Sequence, residues 1–287
     1  MNLQNIISEI EKVDPEVYDK LDTRRSAMKR FANLSGKIAV ASIPFALGSM
    51  FKTAYGQSTS TVNDVLNFAL TLEYLEAEFY TNIVGSPGFL TASGPAQAAL
   101  TKIRDDENKH VAFLKSVLGT AAVAKPTFDF SAGGGSGTGP FAGYLSNYTV
   151  QLAMAQTFED TGVRAYKGQA PAVQSNRVVL TAALQIHSVE ARHASHIRQM
   201  RRALNVAIPS GQVLKPWITL NQSGIDFPPA NSAIQMSYNG EDLASQAGVN
   251  VVGIGGNAYI DSSAASAGFD EPLTTQQVLD IVTPFFG

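Results

Sequence analysis

The sequence predicts an all-α chain built on a four-helix bundle, followed by an irregular C-terminal arm and a short terminal helix. Three observations predict it. Two Glu-x-x-His pairs, Glu107/His110 and Glu190/His193, fall on segments with helical periodicity. Each is preceded by an apolar helical segment with a lone inward Glu: Glu73 in LTLEYLEAEFY and Glu159 in AQTFEDTGVRAY. Gly- and Pro-rich punctuation then divides the region into four long helices.

The spacing has a chemical reason. Residues i and i+3 share one helix face, so a Glu and a His placed so can close on one metal or on two adjacent ones. Four carboxylates with two neutral imidazoles balance two divalent cations. Without cations, such a buried cluster takes up protons instead. Oxygen-rich donors with some imidazole suit iron or manganese, and zinc is also compatible. One Glu-x-x-His is a weak signal, common on solvated faces. Two, at 34 and 31 residues after Glu73 and Glu159, form a pattern. The candidate ligands are Glu73, Glu107, His110, Glu159, Glu190 and His193.

The halves repeat. Aligning Glu73 with Glu159 also aligns Ala69 with Ala155, Thr71 with Thr157 and Tyr80 with Tyr166. The tyrosines either hydrogen-bond to the site or relay electrons, or they are amphipathic core residues with hydroxyls at the rim. Glu76 either replaces Glu73 or adds a carboxylate nearby; its counterpart is Gly162, so the repeat favours Glu73. Glu78 and Asp160 are expected to face solvent. His187 and His196 read as surface or cap-region histidines, with ligation the alternative for either and easier for His196, which is angularly closer to His193.

In chain order, Thr23-Arg24-Arg25-Ser26-Ala27-Met28-Lys29 resembles a twin-arginine export signal. An apolar stretch from Ile38 to Phe51 follows, broken by Pro44 and Gly48 and short for a membrane span. Ala54-Tyr55-Gly56 offers a small-x-small cleavage site, so residues 1–56 read as a signal region. The acidic residues before the arginine pair leave room for an uncleaved N-terminus. The bundle occupies 57–205. Helix one runs from Thr61 to Ile83, helix two from Gly94 to Leu118, helix three from Phe141 to Gly168 and helix four from Val173 to Leu204. Lys125 to Pro140 connects helices two and three. Its glycine run is no phosphate loop, because no Gly-Lys-Ser/Thr follows. Arg198, Arg201 and Arg202 complement the negative end of helix four. Residues 206–287 form an extension packing on the bundle, with a short hairpin near Val249–Val252 and Trp217 as its anchor. The last helix spans Thr274 to Phe285, opened by a Thr274/Gln277 capping box. Phe285 and Phe286 serve as a tail clamp or an oligomer contact.

The lines LTLEYLEAEFYTNIV, RDDENKHVAFL, HSVEARHASHIR and FDEPLTTQQVLDIVTPF resemble the ferritin-like superfamily, and more closely its exported members related to desiccation-associated proteins. The resemblance implies an antiparallel bundle with one long crossover between helices two and three. It also implies a di-iron or di-manganese centre on the six candidate ligands. Many members carry an Asp before each Glu-x-x-His Glu, which orients the opposite His. Here Asp106 precedes Glu107 but Val189 precedes Glu190, so Asp106 supports His193 while His110 lacks its counterpart.

A net charge of −3 without a basic aromatic run argues against nucleic acid as a partner. The absence of cysteine excludes disulfides, thiol catalysis and Cys-type metal sites. The expected function is an exported di-metal protein that acts on peroxide or O₂, or oxidises Fe²⁺, in oxidative stress, with catalase-, peroxidase- or ferroxidase-like chemistry. The alternative is a stress or desiccation protein whose metal is a non-catalytic staple. Expected partners are the oxidant and the twin-arginine export machinery, with membrane contact only through the signal region; an oligomer is compatible.

Overall fold

A computed structural model describes residues 61–287, apart from Pro229 and Ala247. The expected export segment, residues 1–56, lies outside the described residues. Helix α1 (Val62–Ile83) opens on a capping box in which Thr61 and Asp64 satisfy each other's backbone donors. One turn, Pro87–Leu90, leads into α2 (Gly94–Leu118), capped by Ser93 and stopped at Gly119, whose φ is +55°. Helix α3 (Tyr148–Gln169) and helix α4 (Arg177–Ala203) complete the bundle, and α5 (Thr275–Val282) lies near the C-terminus.

Two helix starts differ from the sequence expectation. Helix α3 begins at Tyr148 rather than Phe141, because the Asn147 side chain accepts from the Thr149 and Val150 amides and ends the preceding turns. Helix α4 begins at Arg177 rather than Val173. Asn176 caps it, and residues Ala170–Val173 form a separate 3₁₀ turn opened by Pro171.

Helix directions follow from cross-helix pairs. Tyr80 meets Glu159 and Tyr166 meets Glu73, so α1 and α3 run antiparallel. Glu107 meets His193 and His110 meets Glu190, so α2 and α4 do too. The long crossover, residues 119–147, joins the parallel helices α2 and α3. Its glycine-rich turn is organised by the Asp129 carboxylate, which accepts from the amides of Ser131, Gly135 and Gly137 at 2.9–3.0 Å.

Helices α1 and α3 are buried on nearly every side, whereas α2 and α4 keep solvated faces. The C-terminal arm supplies the extra cover over α3. Arg164 of α3 is 1% exposed; it donates to the Ser237, Asn239 and Glu271 carbonyls and pairs with Glu241 at 2.6 Å. Gly168 permits the closest approach, since a Cβ there would stand 2.0 Å from the Leu273 carbonyl oxygen. The arm contains a two-stranded hairpin, β1 (Ser245–Gln246) with β2 (Val249–Asn250). Trp217 is not its anchor: the indole is half exposed, and the buried Ile218, Ile225, Ile234 and Tyr238 hold the arm instead. Phe285 packs edge-on against Phe158, and Phe286 against Phe128, so the tail clamps its own chain. No helix among the described residues is long and apolar enough to cross a membrane.

Candidate metal centre

The six candidate ligands converge between the four helices. They form two groups, Glu73/Glu107/His110/Glu190 and Glu107/Glu159/Glu190/His193, each with its donor atoms within 4.8 Å of one another. Glu107 and Glu190 belong to both groups. All four glutamates are fully buried, while the His110 side chain keeps 12% exposure and His193 keeps 9%.

Both imidazoles aim Nδ1 inward. His110 Nδ1 stands 3.2 Å from Glu73 Oε2 and 3.0 Å from both Glu107 Oε2 and Glu190 Oε1. His193 Nδ1 stands 2.9 Å from Glu107 Oε1 and 3.4 Å from Glu159 Oε2. Several of these approaches lack hydrogen-bond geometry. Glu107 Oε1, Glu159 Oε2, both Glu190 oxygens and His193 Nδ1 are buried without a hydrogen-bond partner. Orphaned polar atoms in a dry interior cost several kcal/mol unless something satisfies them. Five donors converging on one volume fit cations of the oxygen-and-imidazole class.

The electrostatics agree. Burial, reinforced by the charge of Glu190, pushes Glu73 up to about 8. Burial and neighbouring carboxylates raise Glu159 well above its ordinary value. Burial works against both imidazolium ions, but the surrounding carboxylates outweigh it and raise His110 and His193. Burial likewise opposes ionisation of Glu190, yet its two histidines hold it down to about 2. The cluster therefore favours bound protons wherever no cation neutralises its carboxylates.

Tyr80 and Tyr166 are buried and engaged with the site. Tyr80 donates to Glu159 Oε1, and Tyr166 donates to Glu73 Oε1. Each bond occupies one oxygen and leaves Oε2 facing a histidine. Burial and the facing carboxylate raise both phenols well above their ordinary range, so both hydroxyls stay protonated donors. Glu76 is 4% exposed but stands outside both ligand groups. It fits because its repeat partner is Gly162: a Cβ there would lie 3.2 Å from Glu76 Oε1. Burial, with the charge of Glu190, pushes its carboxyl well up.

Asp106 faces His193 Nε2 at 3.6 Å, beyond hydrogen-bond distance, and is also held by Lys102 and Lys109. The corresponding position before Glu190 is Val189, which has no carboxylate to offer His110. His196 is exposed, and His187 Nδ1 lies 3.0 Å from the Val163 carbonyl oxygen; neither joins a ligand group. Glu78 is partly exposed and pairs with Lys125.

Asp160 departs from expectation. It is 3% exposed rather than solvated, bonded to Arg198 and accepting from the Tyr238 hydroxyl at 2.8 Å. Arg201, assigned to the helix dipole by sequence, is 2% exposed and donates to Gln156 and to the Gly224 carbonyl at 2.8 Å. Only Arg202 stays exposed as a solvated end charge. The signal for this network was Asp160 sharing a helix face with Gln156 and Arg164, four residues to either side, and its partner Tyr238 lies in an arm whose path has no periodic signature.

Residues 61–203 match the family model described as a ferritin-like domain. No curated protein and no solved structure was found to match the chain. The bundle and its long crossover agree with that match, so residues 61–203 form a ferritin-like domain.

Proposed function

We propose that this protein binds two divalent ions, iron or manganese, and uses them to consume peroxide or O₂ or to oxidise Fe²⁺. The observation carrying the reading is the pair of ligand groups that share Glu107 and Glu190 and leave oxygens orphaned. Glu73 and His110 would hold one ion, Glu159 and His193 the other, with Glu107 and Glu190 between them. A pair of redox-active ions supplies two-electron chemistry toward O₂ or peroxide. The chain's own contribution is positioning. Tyr80 and Tyr166 orient the terminal carboxylates, Asp106 faces His193, and complete burial of the four glutamates excludes water. An apolar pocket bordered by Ala69, Leu72, Tyr166 and Ile186 lies beside the centre and suits a small uncharged oxidant.

Disproportionation of two H₂O₂ to two H₂O and O₂ needs no external electron donor, which suits a chain without cysteine. The Arg24-Arg25 motif supports export by the twin-arginine route, which carries folded, metal-loaded proteins to the periplasm. The near-complete closure of the site favours one second reading: a stress or desiccation protein in which metal acts as a staple. Elemental analysis of the purified protein with peroxide-driven O₂ evolution tests both. About two iron or manganese per chain with O₂ evolution is expected. Bound metal without turnover supports the staple, and metal content no higher than in Glu107→Ala would sink both readings.

A further inference from the structure

A second site lies on the outer side of α3 and α4, where the C-terminal arm crosses them. A cavity of about 180 Å³ opens there, bordered by Asp160, Ser195, Arg198, Trp217, Phe269 and Asp270. None of these is among the candidate metal ligands. At roughly 10–15 Å³ for each water-sized occupant, the space holds on the order of ten non-hydrogen atoms.

Its floor is rigid. Arg198 and Asp160 are 2% and 3% exposed and bonded to each other, and the Arg198 guanidinium stands 5.7 Å from the Tyr238 ring centroid. Its rim is the reverse. Trp217 is 50% exposed and Phe269 is 41% exposed, although both are large aromatic side chains on an arm with a buried apolar side. One face of Trp217 already carries Lys215, whose Nζ lies 6.0 Å from the ring centroid. Exposed aromatic rings beside a cleft with a few fixed polar groups are the composition of a ligand site.

The charges select the ligand. Arg198 is neutralised by Asp160; burial, and then the charge of Asp160, raise the Asp270 carboxyl, and Lys215 brings a positive charge to the rim over Trp217. Arg198 and Lys215 stand against Asp160 and Asp270, so the charges around the cavity match in number and select neither an anion nor a cation. The wall offers donors and acceptors together: guanidinium, carboxylates and the Ser195 hydroxyl. A purely apolar ring would leave those groups unpaired, and an ion of either sign would meet a like charge. A ligand with a flat C–H face and hydroxyls around its edge satisfies both sides.

We propose that this cavity binds a neutral, hydroxyl-rich ring of monosaccharide size, packed against Trp217 and Phe269 and hydrogen-bonded by Ser195, Asp270 and the Arg198–Asp160 pair. The site is independent of metal loading, so its failure leaves the proposed function standing, and the reverse also holds.

Trp217 is the only tryptophan in the chain, so intrinsic fluorescence reports on the cavity directly. The full-length protein is titrated with glucose, galactose and mannose, with phenol as a ring lacking the hydroxyl array. A saturable change in emission with at least one hexose is expected, weakened tenfold or more by Phe269→Ala and by Asp270→Asn, with the metal content of both variants unchanged. Phe269 is exposed enough for its replacement to leave folding intact. A merely linear response to all three hexoses overturns the proposal. So does saturation by phenol alone, or a saturable hexose response that both variants retain.

Discussion

Tyr80 on α1 donates a 2.5 Å hydrogen bond to Glu159 on α3, and Tyr166 on α3 returns the same bond to Glu73 on α1. The two bonds form a reciprocal cross-brace. Each tyrosine stands seven residues after the glutamate of its own helix and reaches the glutamate of the other. Antiparallel helices bring the two levels together, and the internal repeat makes the brace symmetric. The brace is expected to aim carboxylates rather than to carry electrons. In Tyr80→Phe, Glu159 Oε1 loses its donor inside a dry interior, costing about 1–3 kcal/mol. Chemical denaturation of the metal-loaded protein would measure it. Metal should weaken more at the Glu159/His193 position than at the Glu73/His110 position, visible as loss of equivalence in a metal titration.

The shared carboxylates should behave unlike the terminal ones. Glu107→Ala removes a donor from both groups and is expected to abolish binding of both ions, whereas Glu73→Ala should leave about one ion per chain. Elemental analysis separates the cases. The metal-induced rise in Tm should vanish in Glu107→Ala. Equal metal content in the two variants would contradict the bridging arrangement.

Acidity of the cluster makes the metal-free protein pH-sensitive in a stated direction. The folded value of Glu73 is raised to about 8 against an ordinary 4.5, so the folded state binds more protons than the unfolded chain across that window. Stability from this group is therefore present below about pH 4.5 and lost as pH rises toward 8. Raised Glu159, His110 and His193 act in the same sense, each above its own unfolded value. Glu190, held near 2, acts oppositely, and its contribution is lost only as pH falls below 4.5. Thermal melts of metal-free protein should fall in Tm between pH 5 and 8. Metal ions should reverse the fall and release protons into a weakly buffered solution.

Asp106 tests the inequality of the two halves. It faces His193 at 3.6 Å, and no carboxylate takes the matching place beside His110. Asp106→Asn should weaken one of the two metal positions about 10- to 100-fold and leave the other nearly unchanged. Calorimetric titration resolves the two. Equal weakening at both positions would show that Asp106 acts through the general field.

The arm is held by buried ions as well as by its buried apolar side chains. Asp160→Asn leaves Arg198, 2% exposed, without its counter-charge, and should cost about 3–5 kcal/mol. Gly168→Ala places a methyl 2.0 Å from the Leu273 carbonyl oxygen and should displace the segment leading into α5. Limited proteolysis within residues 240–273 would report both. Unchanged protection in Gly168→Ala would mean that the tail packs elsewhere.

Much of the centre was legible because its signals are local. Glu107/His110 and Glu190/His193 lie within one helical turn, and the repeat that aligns Glu73 with Glu159 also aligns the tyrosines. A capping box marked the start of α5, and Gly- and Pro-rich punctuation marked the bounds of α1 and α2 closely. The starts of α3 and α4 were less legible, since Asn147 and Asn176 were hidden among other polar residues. Asp160 was misplaced because a carboxylate on a helix next to Glu159 reads as solvated until something covers that face. Arg198 and Arg201 were read as end charges for the same reason, and Trp217 as an anchor because large aromatics usually bury.

The sequence by itself determined the helical bundle, the six inward donors and the lack of a second carboxylate opposite Asp106, because helical spacing places residues on a face without reference to distant chain. Only the tertiary structure decided that Glu107 and Glu190 are shared, that the tyrosines brace opposite helices, and that α3 is covered by an arm held on Arg164 and Asp160. Those relations depend on long-range closure and on which buried charges find partners, and neither is encoded in the spacing of nearby residues.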